Sequence, residues 1–268
     1  MTCKKLQRNT QQTNLKNIAI FAAIFVVSFA LFYTPKAIEA TCGINTKYNA
    51  SGFLGEAGDR WGNQANIKIN SVTICGTDTY NSYAHITNGG LTSGTGSGSD
   101  YIEAGIWKGY QGTASTGSNL HYNMIVKNFY NGGKKFYDLT VTNGNKIPSL
   151  GQNVNVKLNW KEYRDLKDWY TVTITNTAAG HTIIADNVHV NGRGTAMLTQ
   201  AEKLNQSSEI RGTSTTIKDY STSLAWSDWT ISSGSIAPTT SDNTMCFVKN
   251  AANSYSFGVK SGTSCLTS

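Results

Sequence analysis

This 268-residue chain is poor in proline, in helical periodicity and in familiar catalytic signatures. It has three prolines, and no long segment repeats apolar residues at helical spacing, so an α-helical core is excluded. No GxSxG, HExxH or P-loop sequence occurs. That removes the nucleophile elbow, the zinc-protease helix and the phosphate cradle from the candidate chemistries. There is no CxxC, and no Cys/His or His/His pair at metal-ligand spacing. His85, His121, His181 and His189 are scattered, so no metal site is expected. No Glu-x-Asp-x-x-Glu run clusters acids along one strand as many sandwich glycosidases do. The formal charge is +7, yet no basic stripe interleaves with aromatics, which argues against a nucleic-acid surface.

Long hydrophobic runs are missing too, with one exception. Ile18 to Tyr33 is apolar apart from Ser28, follows Lys4, Lys5, Arg8 and Lys16, and precedes small residues at Ala37 and Ala40. This is the layout of an export signal. Residues 1–40 are expected to be a signal peptide or an uncleaved N-terminal membrane anchor, and 41–268 a single domain. Membrane contact is expected only through that segment. The remainder would be secreted or lie on the extracellular cell surface. Five of the 23 Lys and Arg and one of the 16 Asp and Glu fall in the leader, leaving 18 bases against 15 acids. The high isoelectric point is therefore largely a property of the leader.

Cysteine usage agrees with export. Beyond Cys3, the chain keeps Cys42, Cys75, Cys246 and Cys265, an even number suited to an oxidising compartment. Four cysteines allow three pairings. Cys42–Cys75 and Cys246–Cys265 are favoured because each closes a modest local loop. The sequons at Asn49 and Asn205 suggest exposed turns.

What is present reads as all-β. Thr, Tyr, Val, Ile, Gly and Asn dominate in short alternating runs broken by Gly, Asn and Ser, the pattern of sandwiches and barrels. Strands are expected near 65–75, 82–87, 101–107, 120–129, 135–141, 153–160, 169–176, 182–189, 196–204 and 223–232. A final pair is expected at 245–248 and 254–260. The Gly/Ser/Thr-rich segment 89–98 reads as an exposed loop. The charged run 161–168 reads as a solvated hairpin connection.

Two acids break the alternation in an informative way. In Tyr101-Ile102-Glu103-Ala104-Gly105-Ile106-Trp107, the isoleucines and alanine share one face, leaving Tyr101, Glu103, Gly105 and Trp107 on the other. In Ala196–Leu204, Glu202 shares a face with Leu198, Gln200 and Leu204. Burial favours a neutral carboxyl, and two facing acids titrate apart, which suits them to general acid and base work. The plain alternative is a rim role, with each acid paired to a lysine such as Lys108 or Lys203. Trp226 and Trp229 lie three apart and so face opposite ways, one toward core and one free as a stacking platform.

The order of segments resembles the double-sheet jelly roll of the glutamic peptidases of eqolisin and neprosin type, over roughly residues 80–230. The strand Tyr101–Ile106 is similar to the one bearing the first catalytic residue. The runs Gly151–Val156 and Trp169–Gly180 are similar to a hairpin of these folds. The strand ending Gln200-Ala201-Glu202 is similar to the one bearing the catalytic Glu, with Glu209 as a second candidate. The resemblance implies a concanavalin-like β-sandwich and an acid-acting endopeptidase needing no metal or organic cofactor. Glu202 would activate water and a protonated Glu103 would polarise the scissile carbonyl. Tyr101, Trp107 and Gln200 would line a cleft for a peptide. The competing class is a non-catalytic module that binds a polysaccharide or serves structurally.

Overall fold

Lys167 to Asn176 shows how the sequence becomes structure. It alternates without a break, and in the computed structural model every second residue from Asp168 onward is buried. The structure describes residues 48–55, 60–75, 81–92, 100–128, 133–140, 146–190, 194–205, 207–221, 223–228, 236–238 and 244–268. These lie in the compact unit Cys42–Ser268. The expected leader, Cys42, Trp229 and most of the 89–98 segment fall outside the described residues.

The strands are β1 (Tyr48–Gly55), β2 (Arg60–Thr73), β3 (Asn81–Thr92), β4 (Tyr101–Gln111), β5 (Ala114–Ser115) and β6 (His121–Asn128). There follow β7 (Gly133–Asp138), β8 (Val154–Arg164), β9 (Lys167–Asn176), β10 (His181–Val190), β11 (Gly194–Lys203) and β12 (Glu209–Ser221). The last are β13 (Trp226–Asp228), β14 (Ile236–Pro238), β15 (Met245–Ala251), β16 (Ser254–Ser261) and β17 (Ser264–Leu266). No helix occurs among the described residues.

Two antiparallel sheets form, as the composition predicts. Sheet A runs β14-β1-β11-β3-β4-β6-β7, with β5 on β4. Sheet B runs β10-β9-β8-β2-β12-β16-β15, with β13 on β12 and β17 on β16. One core fills the space between them. Ala84, Ile86, Ile102, Ala104 and Ile106 come from sheet A, and Ile67, Val156, Leu158, Val172 and Ile174 from sheet B. This is the expected β-sandwich.

A polar tie crosses that core. Asn63 on β2 donates from Nδ2 to Asn88 Oδ1 (2.9 Å), Gly89 O (2.7 Å) and Leu198 O (3.1 Å). Asn88 returns a bond to Asn63 Oδ1 (3.1 Å) and donates to Val156 O (3.2 Å). Both asparagines are fully buried. The tie pins β3 and β11 to sheet B directly beneath the face described below.

The connection at 161–168 is a hairpin with a two-residue turn. Arg164 pairs with Lys167, and Asp165 and Leu166 both take the left-handed conformation (φ 54° and 60°). That geometry follows the right-handed twist of the two strands. Cys246 and Cys265 are bonded, joining β15 to β17 across 19 residues, a closure worth about 3 kcal/mol on loop entropy. Cys75 is disulfide-bonded as well.

Several details differ from the sequence reading. β12 was not expected, yet it is an interior strand of sheet B, between β2 and β16. Its inward residues Ile210, Gly212 and Ser214 are weakly apolar, and a bulge at Thr215–Lys218 shifts the phase so that Ile217 also faces inward. A seven-residue spacing would put Ile210 and Ile217 on opposite faces of a regular strand. β1 was not expected either, and of 223–232 the described strand is Trp226–Asp228. Gly89 and Gly90, assigned to a loop, belong to β3. Asn205 is no exposed sequon. It is buried, with its amide donating to Cys75 O and Ser82 Oγ.

Candidate active site

β11, β3 and β4 are consecutive strands of sheet A. Their pairing decides which side chains meet on the face turned away from the core. Glu103 stands opposite Gly89, Gly105 opposite Thr87, and Trp107 opposite His85. From the other side, Leu198 stands opposite Gly89, Gln200 opposite Thr87, and Glu202 opposite His85. Glu103 and Glu202 therefore flank β3, offset by four residues along it, and Gln200 occupies the step between.

This face is buried. Relative exposure is 6% for Glu103, 4% for Gln200 and 1% for Glu202, while His85, Thr87 and Trp107 are at 0%. β4 is buried on both faces from Ile102 to Trp107, whereas β8 and β9 alternate. Two carboxyls withdrawn from water need local partners, and these are found. Glu103 Oε2 accepts from Gln200 Nε2 at 2.8 Å and from Thr87 Oγ1 at 3.3 Å. Glu202 Oε1 accepts from the Tyr83 hydroxyl at 2.7 Å, and its Oε2 lies 3.9 Å from His85 Nε2.

The Glu103–Gln200 contact reaches across β3, and Gly89 is what permits it. A Cβ at Gly89 would sit 2.7 Å from Glu103 Cγ and 2.5 Å from Ile102 O. Any side chain there would force the Glu103 side chain or the β4 backbone beside it to shift.

The two tyrosines register the acids electrostatically. Burial, followed by the charge and hydrogen bond of Glu202, pushes the Tyr83 phenol well above its ordinary range. Burial also raises Tyr101, helped by Glu103 and then Glu202. Both phenols stay protonated at any physiological pH. Tyr101 is half-buried, with Lys127 Nζ 6.0 Å from its ring centroid. Trp107 meets Phe136 edge-on at 4.8 Å and His121 at 6.1 Å. His121 Nδ1 in turn lies 2.8 Å from Asp138 Oδ2.

Of the residues singled out in the sequence, Glu103, Glu202, Tyr101, Trp107 and Gln200 all lie on this one face. Glu209 does not. It is on β12 in sheet B, partly exposed and paired with Arg211 at 3.3 Å. Trp226 is half-buried against Tyr220 at 4.9 Å, beneath Lys157 Nζ at 5.1 Å. The sequence reading missed Tyr83, His85 and Thr87. Tyr83-x-His85-x-Thr87 alternates with Ala84 and Ile86, the same signal that exposed Glu103. Among the described residues, no group of three or more His, Cys, Asp or Glu is arranged to hold a metal ion.

No protein-family model and no curated protein matches the sequence. Solved structures do match. The fold is similar to a crystal structure of scytalido-glutamic peptidase with a transition state analog inhibitor. The TM-score is 0.54 at 9% identity, covering 81% of this chain and 100% of that one. A second scytalido-glutamic peptidase structure, with a peptide-based transition state analog, gives 0.49 at 9% identity over 81% and 98%. SCP-B, a member of the eqolisin family of peptidases in a complex with the tripeptide Ala-Ile-His, gives 0.48 at 9% over 81% and 98%. At this identity the likeness is one of fold, and it agrees with the resemblance read from the strand order.

Proposed function

We propose that this chain is an exported peptide hydrolase of glutamic-peptidase type, acting at acidic pH on the outer face of sheet A. The observation that carries the reading is the Gln200–Glu103 contact of 2.8 Å on a face withdrawn from water. A carboxylate and an amide so paired supply a proton acceptor and an N–H donor a few ångströms apart. Hydrolysis of an amide needs that combination.

Glu103 receives two hydrogen bonds on one oxygen, the pattern of an ionised carboxylate. It takes the proton of a water attacking the scissile carbonyl. The Gln200 amide serves as the N–H donor to the oxygen of the tetrahedral intermediate. Glu202, protonated at acidic pH, gives its proton to the leaving amine as the C–N bond breaks. The proton gained by Glu103 then returns to Glu202 through solvent. This exchanges the roles that the resemblance alone implied for the two acids. The substrate is a peptide, with Tyr101 and Trp107 on the walls. The paired cysteines fit the export read from residues 1–40.

The test is an endopeptidase assay from pH 2 to 8 with internally quenched peptides, on the chain beginning at Thr41. Glu103→Gln should lower kcat at least 100-fold, with an unchanged circular dichroism spectrum. Wild-type protein that cleaves no peptide anywhere in that range, or full activity in Glu103→Gln, would leave the non-catalytic module as the better account.

A further inference from the structure

Asn123 lies on β6, opposite Gly105 on β4 and Asp138 on β7. It shares the outer face with Ile125, while Tyr122 and Met124 enter the core. Its side chain is fully buried, and neither Nδ2 nor Oδ1 has a hydrogen-bond partner. Trp107, two residues along β4 from Gly105, is fully buried as well, and its Nε1 also has no partner. Gly105 puts no side chain between them and the Thr87–Gln200 row. A Cβ there would sit 2.0 Å from Ile86 O.

Native proteins rarely leave buried polar atoms unsatisfied, because each forfeits its hydration without return. Here two donor nitrogens and one acceptor oxygen are without partners at nearby register positions of β4, the strand that carries Glu103, and of β6 beside it. Apolar groups of the same shape would be nearly neutral or better for the fold, so the use of these polar atoms is sought in something the folded chain receives. An extended peptide residue presents its own N–H and C=O on one side, as strands do within a ladder. A side-chain amide matches that pair with its oxygen and nitrogen.

We infer that Asn123 is a substrate-binding residue that takes the main-chain N–H and C=O of one extended substrate residue, with Trp107 Nε1 donating to a neighbouring carbonyl. The inference rests on the peptidase reading for its substrate class and adds how the peptide is held. The binding is to main chain, so it selects extended conformation over side-chain identity.

The test uses Asn123→Leu, close in size and without polar atoms, and Asn123→Ala as a second variant. Urea unfolding, cleavage kinetics, and binding of an uncleavable reduced-bond peptide followed by tryptophan fluorescence are measured on each. The expected result is a urea midpoint equal to or above wild type for Asn123→Leu, with kcat/KM at least 10-fold lower, mainly through KM. Peptide affinity should fall by a similar factor. A lowered midpoint with unchanged peptide affinity would make Asn123 a structural residue satisfied by water, and overturn the inference. Unchanged KM and affinity in both variants would do the same while leaving the peptidase reading intact. Should wild type cleave nothing but still bind the peptide through Asn123, the hydrolase reading falls and the binding site stands. Should wild type neither cleave nor bind, both fall.

Discussion

Replacing Asn63 with leucine tests the physical argument where it is most quantitative. Asn63 and Asn88 are fully buried and hydrogen-bonded to each other twice, at 2.9 and 3.1 Å. Leucine fills a similar volume but offers no polar atom. Asn88 Oδ1 then loses its donor, Asn88 Nδ2 keeps only Val156 O, and the Gly89 and Leu198 carbonyls each lose one bond. A stranded buried group costs about 1–3 kcal/mol. With the Asn88 amide the main loser, the loss should be roughly 2–5 kcal/mol. For a domain of this size that is a fall in Tm of about 5–15 °C. The double variant Asn63→Leu/Asn88→Leu removes both partners at once and should recover most of that loss, since paired removal is nearly neutral. Thermal and urea unfolding of the wild type, both single variants and the double variant make a complete cycle. A value for Asn63→Leu within about 0.5 kcal/mol of wild type, or a double variant worse than the sum of the singles, would rule out a stabilising tie.

Two further expectations follow from single residues. Tyr255 is fully buried with no partner for its hydroxyl, and burial pushes its phenol up to about 12. Tyr255→Phe should therefore raise stability by about 0.5–1 kcal/mol at neutral pH, by removing an unsatisfied group of unchanged shape. Because the folded phenol titrates above the unfolded one, its contribution is complete below pH 10 and is lost as pH rises toward 12. The advantage of phenylalanine should thus widen over that window in urea unfolding curves, and a constant gap would refute the assignment. Leu166 occupies a left-handed turn position with its side chain largely in solvent. Leu166→Gly should raise the urea midpoint, with a gain of about 0.5–1 kcal/mol, because glycine adopts that conformation without a Cβ clash. A lowered midpoint would mean the leucine makes a contact that the turn geometry does not reveal.

Much of the sandwich was legible because strand periodicity is local. A strand such as β9, with alternating Tyr170, Val172 and Ile174, announces itself whatever it packs against. The same alternation isolated Glu103, Gln200 and Glu202 as polar residues on strand faces. β12 was illegible because its inward face is Gly212 and Ser214, and because the bulge before Lys218 resets its phase. Small inward residues become sensible only once the opposing sheet is known to approach closely there. A Cβ on Gly212 would lie 2.4 Å from Ile86 Cδ1. Gly89 was misread for a related reason. A glycine between polar residues resembles a loop until the Glu103 side chain is seen lying across it.

The sequence by itself determined the class, the strand phase and the candidate acids, all of which depend on neighbours a few residues apart. Only the tertiary structure decided the order of strands in each sheet. That order brings Gln200 to Glu103 over Gly89, sets Tyr83 and His85 around Glu202, removes Glu209 to the other sheet, and strands the Asn123 amide on the same face. Those contacts join residues up to 119 positions apart. Local propensity carries no information about such pairings, which are fixed by the burial of the common core and by the register that burial imposes.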